Sequence, residues 1–167
     1  MLKTILAAIL YLAPHLDPSY AMHYARLIHK ESKQHRIDPL LVTTIIHVET
    51  AKSWRMSVRS PTHDFGLMQI HVSRNSNKHL LGMEEVLFHP GTNIHYGLNT
   101  LVMWRGYHQK TCNDSDHPFW SHYQWGYRVR NLMWTKKVAG LYNHLIGVFR
   151  SHPLQAELQS TLARMED

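Results

Sequence analysis

Asp38-Pro39 opens a run, Leu40-Leu41-Val42-Thr43-Thr44-Ile45-Ile46-His47-Val48, in which almost no position offers a polar face. An aspartate that can accept the free N–H groups of a first turn, followed by a proline whose missing N–H costs nothing there, is a helix start. Because Leu40, Leu41, Val42, Ile45, Ile46 and Val48 spread around most of the circumference, a helix over residues 39–50 is predicted to be buried on nearly every side. Other elements must surround it. Glu49 falls at its far end, where desolvation and the partial negative charge of a helix C-terminus both favour the neutral carboxyl. An acid so placed can donate a proton near neutral pH.

The rest of the chain supplies the surround. Asp17-Pro18 reads as a second start, for a helix over residues 18–36 with Ala21, Tyr24, Ala25 and Ile28 on one stripe and Lys, Arg, Gln and His opposite. Residues 51–64 are irregular and polar, with Ser60-Pro61 marking a turn in a loop that leaves Glu49 and returns. A short helical piece over 83–88 precedes His89-Pro90-Gly91. Ile94, Gly97, Leu98, Leu101 and Val102 then mark a further helix, with Thr92 or Asn93 as its expected cap. Residues 106–118 are polar and read as a surface excursion. Trp134, Val138, Leu141, Leu145 and Phe149 make another stripe, and Leu154, Leu158 and Leu162 a short last one. No alternating segment of strand length stands out, so the economical reading is an all-α domain.

With 167 residues, 44% of them hydrophobic, the chain can bury one good core. The expected organisation is a body over residues 18–150, a short helix or tail over 151–167, and an N-terminal segment, 1–21, that carries two readings. Lys3 followed by a short apolar stretch and Ser19-Tyr20-Ala21 resembles a signal peptide with its cleavage site. The same stretch also reads as a first helix packed on the core. It is too short to span a membrane, so the mature domain is expected to hold no integral membrane segment.

Lysine and arginine outnumber aspartate and glutamate 18 to 12, which suits an anionic partner. The excess is diffuse and no helix clusters Lys and Arg, so nucleic acid is not the expected partner. Five tryptophans and eight tyrosines read first as core and second as faces that stack on sugar rings. Cys112 is the lone cysteine and leaves no internal disulfide. Fifteen histidines invite a metal reading, but spacings such as His63 to His71 or His117 to His122 match no zinc pattern. They are read as structural or surface residues, and no metal or cofactor is expected.

Between Pro39 and Met83 the carboxylates are Glu49 and Asp64. If the loop brings Gly66-Leu67-Met68-Gln69-Ile70 back against the buried helix, one acid stands beside backbone and amide donors. Gly66 permits close backbone approach, Met68 packs without demanding a hydrogen bond, and Gln69 offers an amide to a sugar. A glycoside hydrolase of the usual kind wants two carboxyls, whereas one acid suffices when the substrate supplies its own nucleophile.

Ile37-Asp38-Pro39-Leu40-Leu41 through Glu49-Thr50, then Ser60-Pro61, Gly66-Leu67-Met68-Gln69-Ile70, Asn93-Ile94 with Gly97, and His122-Tyr123-Gln124-Trp125-Gly126 together resemble the lytic transglycosylases of the goose-type lysozyme-like superfamily. The similarity covers about residues 20–145. It implies a lysozyme-like helical domain with a substrate groove. The implied reaction cleaves the bond between N-acetylmuramic acid and N-acetylglucosamine in a peptidoglycan strand to give a 1,6-anhydro product, at the cell envelope or from a phage acting on the wall. By the same resemblance Glu49 is the single acid and base, Ser60 lies near it, Met68 and Gln69 line the groove, and Tyr123 and Gln124 stand near the developing charge. The chain departs from the family at Thr50, where serine is usual, at Gln124, where asparagine is, and at His71, where many relatives carry methionine. Asp64 keeps a second reading open, a goose-type hydrolase in which it positions water. The departures keep open a third, a degenerate domain that binds saccharide without turning it over. Oligomeric state is not legible.

Overall fold

The structure is a computed structural model, in which residues 1–112 and 115–150 are described. Helix α1 spans Leu2–Leu12, α2 Pro18–His35, α3 Pro39–Glu49, α4 Pro90–Thr111, α5 Ser121–Trp125 and α6 Met133–Arg150. Strands β1, Asp64–Phe65, and β2, Ile70–His71, form an antiparallel hairpin pairing Asp64 with His71 and Phe65 with Ile70. The domain is therefore all-α apart from this two-residue ladder, as its patterning predicts. The expected last helix around Leu154 lies outside the described residues.

Helix α3 is the axis. Every residue from Leu40 through His47 is buried, so its apolar circumference is met on all sides, by α1 and α2, by α6 and by the hairpin loop. Asp38 caps it, accepting from the Leu40 N–H at 2.9 Å. The other Asp38 oxygen accepts from the Tyr142 hydroxyl at 2.8 Å and from Arg150, tying the start of α3 to α6. Thr43 and Thr44 would be costly in such surroundings if unpaired, but both hydroxyls donate back to carbonyls of the preceding turn, Pro39 and Leu40.

Helix α2 buries Ala21, Tyr24, Ala25 and Ile28, the stripe its periodicity marks. It ends at Arg36, whose left-handed backbone (φ 53°) turns the chain toward α3. Arg105 of α4 closes this end by donating to the carbonyls of Arg36 and His35. In the chain as it stands, α1 packs on α2 and α3 with Ile5, Ala8 and Ile9 fully buried, and Ala21 of the small-x-small triplet is a buried residue of α2.

Two expectations need correction. Helix α4 starts earlier than expected, with Pro90 in its first turn and His89 as cap, its Nδ1 accepting from the Thr92 N–H. It also runs on to Thr111 through residues expected to form a polar excursion. Trp104 and Tyr107 pack edge-on to one another and both contact the His122 ring, so this last stretch is held from one side.

Candidate active site

Glu49 is the last residue of α3, and the chain turns sharply away from it. The Thr50 hydroxyl donates to the Ile46 carbonyl at 2.8 Å and accepts the Trp54 N–H at 3.2 Å, binding the departing loop to the helix it leaves. That turn takes Ala51, Lys52 and Trp54 through the left-handed region, at φ 47°, 71° and 54°. Trp54 is 1% exposed and donates its indole N–H to His47 Nδ1 at 3.2 Å. Burial, then nearby Lys52, Lys137 and His15, hold His47 below its usual pKa, so it serves as a neutral acceptor. The Thr50 hydroxyl thus ties the loop to the end of α3.

The loop returns as the hairpin. Gly66 sits at φ 74°, and a β-carbon there would lie 2.2 Å from Asn93 Nδ2 and 2.4 Å from the Leu87 carbonyl, so only glycine fits. Asn93 is fully buried and spends its amide joining this loop to the segment before α4: Nδ2 donates to the Phe65 and Leu87 carbonyls at 2.7 and 2.9 Å, and Oδ1 accepts the Met68 N–H at 2.7 Å. It is a loop clamp rather than a helix cap.

Met68 is 0% exposed, its thioether set against Gly97 of α4. The expectation that its side chain lines a groove is corrected: what Met68 presents is its carbonyl, which accepts the Tyr123 hydroxyl at 2.7 Å. Gln69 has φ 45°, a strained setting for a residue with a β-carbon. Its Nε2 donates to the carbonyls of Gly66, at 2.8 Å, and Val58, at 3.2 Å. Both amide protons are therefore used to hold the loop, leaving Oε1 as the end that can meet a ligand.

Asp64 is not a solvated turn residue. Its carboxylate accepts from the hydroxyls of Ser60 and Thr62 and pairs with His71 Nδ1 at 2.8 Å. Burial acts to raise its pKa, but these hydrogen bonds and the His71 charge outweigh it and hold the carboxyl below its ordinary range. His71, whose role the sequence leaves open, is the partner of this acid, and Ser60 belongs to the same cluster.

Glu49 responds in the opposite direction. Burial first, and the negative charge of Asp64 second, push its carboxyl up to about 8, against the opposing pull of the Trp134 indole and of Lys137. The residue keeps partial contact with solvent. Two carboxyls with proton affinities driven apart, one neutral and one ionised at pH 7, form the arrangement in which one is the acid and the other supplies charge.

Tyr123 of α5 closes the cluster. Burial, then Glu49 and Asp64, raise its phenol well above the usual value, so it stays a neutral donor. Its ring stacks on Trp134 of α6, with centroids 6.4 Å apart and planes 11° from parallel. The Trp134 indole N–H is buried, and the group it acts on is the carboxyl of Glu49. Sequence periodicity reads Trp134 as one more core residue, and nothing in its spacing marks it as a neighbour of Glu49. Gln124 is exposed on the far part of α5 and is not drawn into this network.

Two further groups of ligand-type side chains gather elsewhere, against the expectation from spacing: His108, Cys112, His117 and His122, and Glu31, His35 and His95. Zinc templates count residues along one local motif, whereas these groups assemble from separate elements.

The family model described as transglycosylase SLT domain matches residues 26–118. This span contains Glu49, the hairpin and Asn93, and ends before Tyr123. Comparison with curated proteins and with solved structures returned no match.

Proposed function

Because the chain belongs to the transglycosylase SLT domain family, we propose that it is a peptidoglycan lytic transglycosylase with Glu49 as its acid and base. The carrying observation is the carboxyl of Glu49, which keeps its proton up to about 8 beside an ionised Asp64 and a neutral Tyr123. Glu49 gives its proton to the bridging oxygen between N-acetylmuramic acid and N-acetylglucosamine as the bond from that oxygen to the anomeric carbon breaks. The charge that builds on the sugar ring is stabilised by the carboxylate left behind and by that of Asp64. The 6-hydroxyl of the muramoyl sugar then closes on the anomeric carbon and returns a proton to Glu49. Atoms balance without water, and the product is a 1,6-anhydro sugar. Proton transfer from a positioned acid of this kind contributes about 10²–10⁴-fold to the rate.

Three donors converge on Asp64, Ser60 and Thr62 on one oxygen and His71 on the other, and they hold it as an ionised carboxylate fixed beside the acid. It therefore acts on Glu49 through its charge. Gln69 holds the loop and offers Oε1 to the glycan, while Ser60 belongs to the Asp64 cluster and Tyr123 fixes the Met68 carbonyl. Gln124 contacts the glycan from the exposed side of α5. The working place of such a chain is the cell envelope, or the wall attacked by a phage that encodes it. Among the described residues no helix is long and apolar enough to cross a membrane.

Digestion of purified cell wall, with mass spectrometry of the fragments, tests this reading. Anhydro-muramoyl ends are expected, with clearing lost in Glu49→Gln. Reducing ends would instead assign a hydrolase using Asp64. Tight saccharide binding without turnover by the wild type would assign a non-catalytic module.

A further inference from the structure

Away from the hairpin, one end of α4 gathers four side chains that bind soft and borderline metals. His108 lies on the last turns of α4, and Cys112 follows it by four residues, on the same face, at the helix end. His117 comes from the segment before α5, and His122 from α5 itself. The ligand atoms all lie within 4.8 Å of one another. His122 Nε2 is 3.3 Å from His108 Nδ1 and 3.4 Å from His117 Nε2.

Those two separations have a specific meaning. With zinc–nitrogen bonds of about 2.0–2.1 Å, the edge between two nitrogens of a tetrahedral site is about 3.3–3.4 Å. The rings are thus already at coordination spacing, and long for N–H···N hydrogen bonds. The tautomer is also set. His122 Nδ1 donates to the Gly126 carbonyl at 2.7 Å, which leaves Nε2 with its lone pair toward the other two rings. Asp116 lies 3.7 Å from His117 Nδ1, on the outer side of that ring. Trp104 stacks on His122 with centroids 5.4 Å apart, Tyr107 meets it edge-on, and His122 itself is 1% exposed. This is a set of nitrogen and sulfur donors of which the buried His122 is backed by aromatic rings and the other three are half-buried.

The other cluster is a useful contrast. His35 Nδ1 bonds to the Glu31 carbonyl and its Nε2 to Asn99, while His95 Nδ1 bonds to the Glu31 carboxylate and its Nε2 to the Asn99 amide. Every donor atom there is already spent on a protein partner, so that group needs no ion.

We propose that His108, Cys112, His117 and His122 bind one transition-metal ion of the zinc class in a closed, structural site. Three imidazoles and a thiolate favour zinc over the hard cations magnesium and calcium. Four protein ligands leave no open position, which is the mark of a structural rather than a catalytic ion. Binding releases the thiol proton of Cys112 to solvent as the metal–sulfur bond forms. The consequence lies in α5, a helix of five residues that is too short to persist alone. The ion fastens His122 to the end of α4, and the next residue, Tyr123, is thereby held where its hydroxyl reaches the Met68 carbonyl.

The test is made on the full chain, dialysed against a chelator and then titrated with zinc in competition with a chromophoric chelator. Uptake of one ion per chain is expected. Cobalt(II) in its place should give thiolate-to-metal charge-transfer absorption in the near ultraviolet and the strong visible bands of a four-coordinate ion. Cys112→Ser should abolish the charge-transfer absorption, and His117→Ala should weaken zinc binding by more than about tenfold. His23→Ala, an exposed residue of α2, should change neither. Circular dichroism matching the wild type establishes that the variants fold. No zinc uptake by the wild type overturns the site, as does uptake that Cys112→Ser and His117→Ala leave unaltered.

Discussion

Replacing Glu49 by glutamine should remove activity and at the same time stabilise the fold, by an amount that depends on pH. The carboxyl holds its proton up to about 8 in the folded chain, against an ordinary value of 4.5. Between those two limits the folded state binds more protons than the unfolded one, so stability falls as pH rises through this window and levels off above about 8. At pH 7 the full linkage amounts to roughly 3 kcal/mol, and halving it for the partial solvent contact of Glu49 leaves about 1.5 kcal/mol. Glutamine has nearly the same shape and never ionises. The variant should therefore match the wild type near pH 4 and exceed it by about 1.5–3 kcal/mol from pH 7 upward. Urea unfolding of both proteins at pH 4, 5, 6, 7 and 9 measures this directly. A difference that stays flat across that series would refute the buried, proton-holding carboxyl and the acid role built on it.

Three other perturbations probe the groups around it. Asp64→Asn removes the second-largest influence raising the Glu49 pKa. The alkaline limb of the pH–rate profile should move to lower pH, and an unmoved limb would mean that Asp64 does not act through its charge. Asn93→Ala strips three hydrogen bonds, two to the hairpin and one to the Leu87 carbonyl. It should cost about 3 kcal/mol or more in thermal or urea unfolding, since buried partners left unpaired cost about 1–3 kcal/mol each. Tyr123→Phe keeps the stack on Trp134 but leaves the Met68 carbonyl without its donor. A stability loss of about 1–3 kcal/mol is expected, together with a drop in turnover on cell wall, and unchanged values for both would show that this hydrogen bond holds nothing.

Where an element's fate is decided within its own residues, the sequence declares it. Asp17-Pro18 and Asp38-Pro39 are caps with a mechanism, the stripe of α2 buries as its period requires, and that of α6 buries Val138, Leu145 and Phe149 while leaving Trp134 and Leu141 half-buried. The burial of α3 follows from the absence of any polar face to leave outside. Other features are decided by partners distant in sequence. Asn93 has the profile of a helix cap, yet the hairpin and the Leu87 carbonyl together need an amide with three hydrogen-bonding positions, and that demand prevails while His89 does the capping. Residues 106–111 look like a loop because their support comes from α5 and the aromatic rings around it. Helix patterning alone reads Glu49 as readily as a surface residue at a helix end, and it is the ordered set of motifs that marks it as an acid, whereas the pairing of Asp64 with His71, and the place of Trp134 beside the acid, exist only once β1, β2 and α6 are assembled. Histidine spacing conceals the cluster at the end of α4 for the same reason.

Met68 and Gly97 touch across the helix–hairpin boundary, sulfur lodged where a methyl group would otherwise stand. The two positions consequently share a fixed volume, and neither can grow unless the other shrinks. A chain built on this plan with alanine at 97 has to carry a slimmer residue at 68, or let the strand swing outward and carry the Met68 carbonyl away from the Tyr123 hydroxyl. Substitutions at these two sites should thus be tolerated in pairs and punished singly, a signature that a library randomising both codons together would reveal.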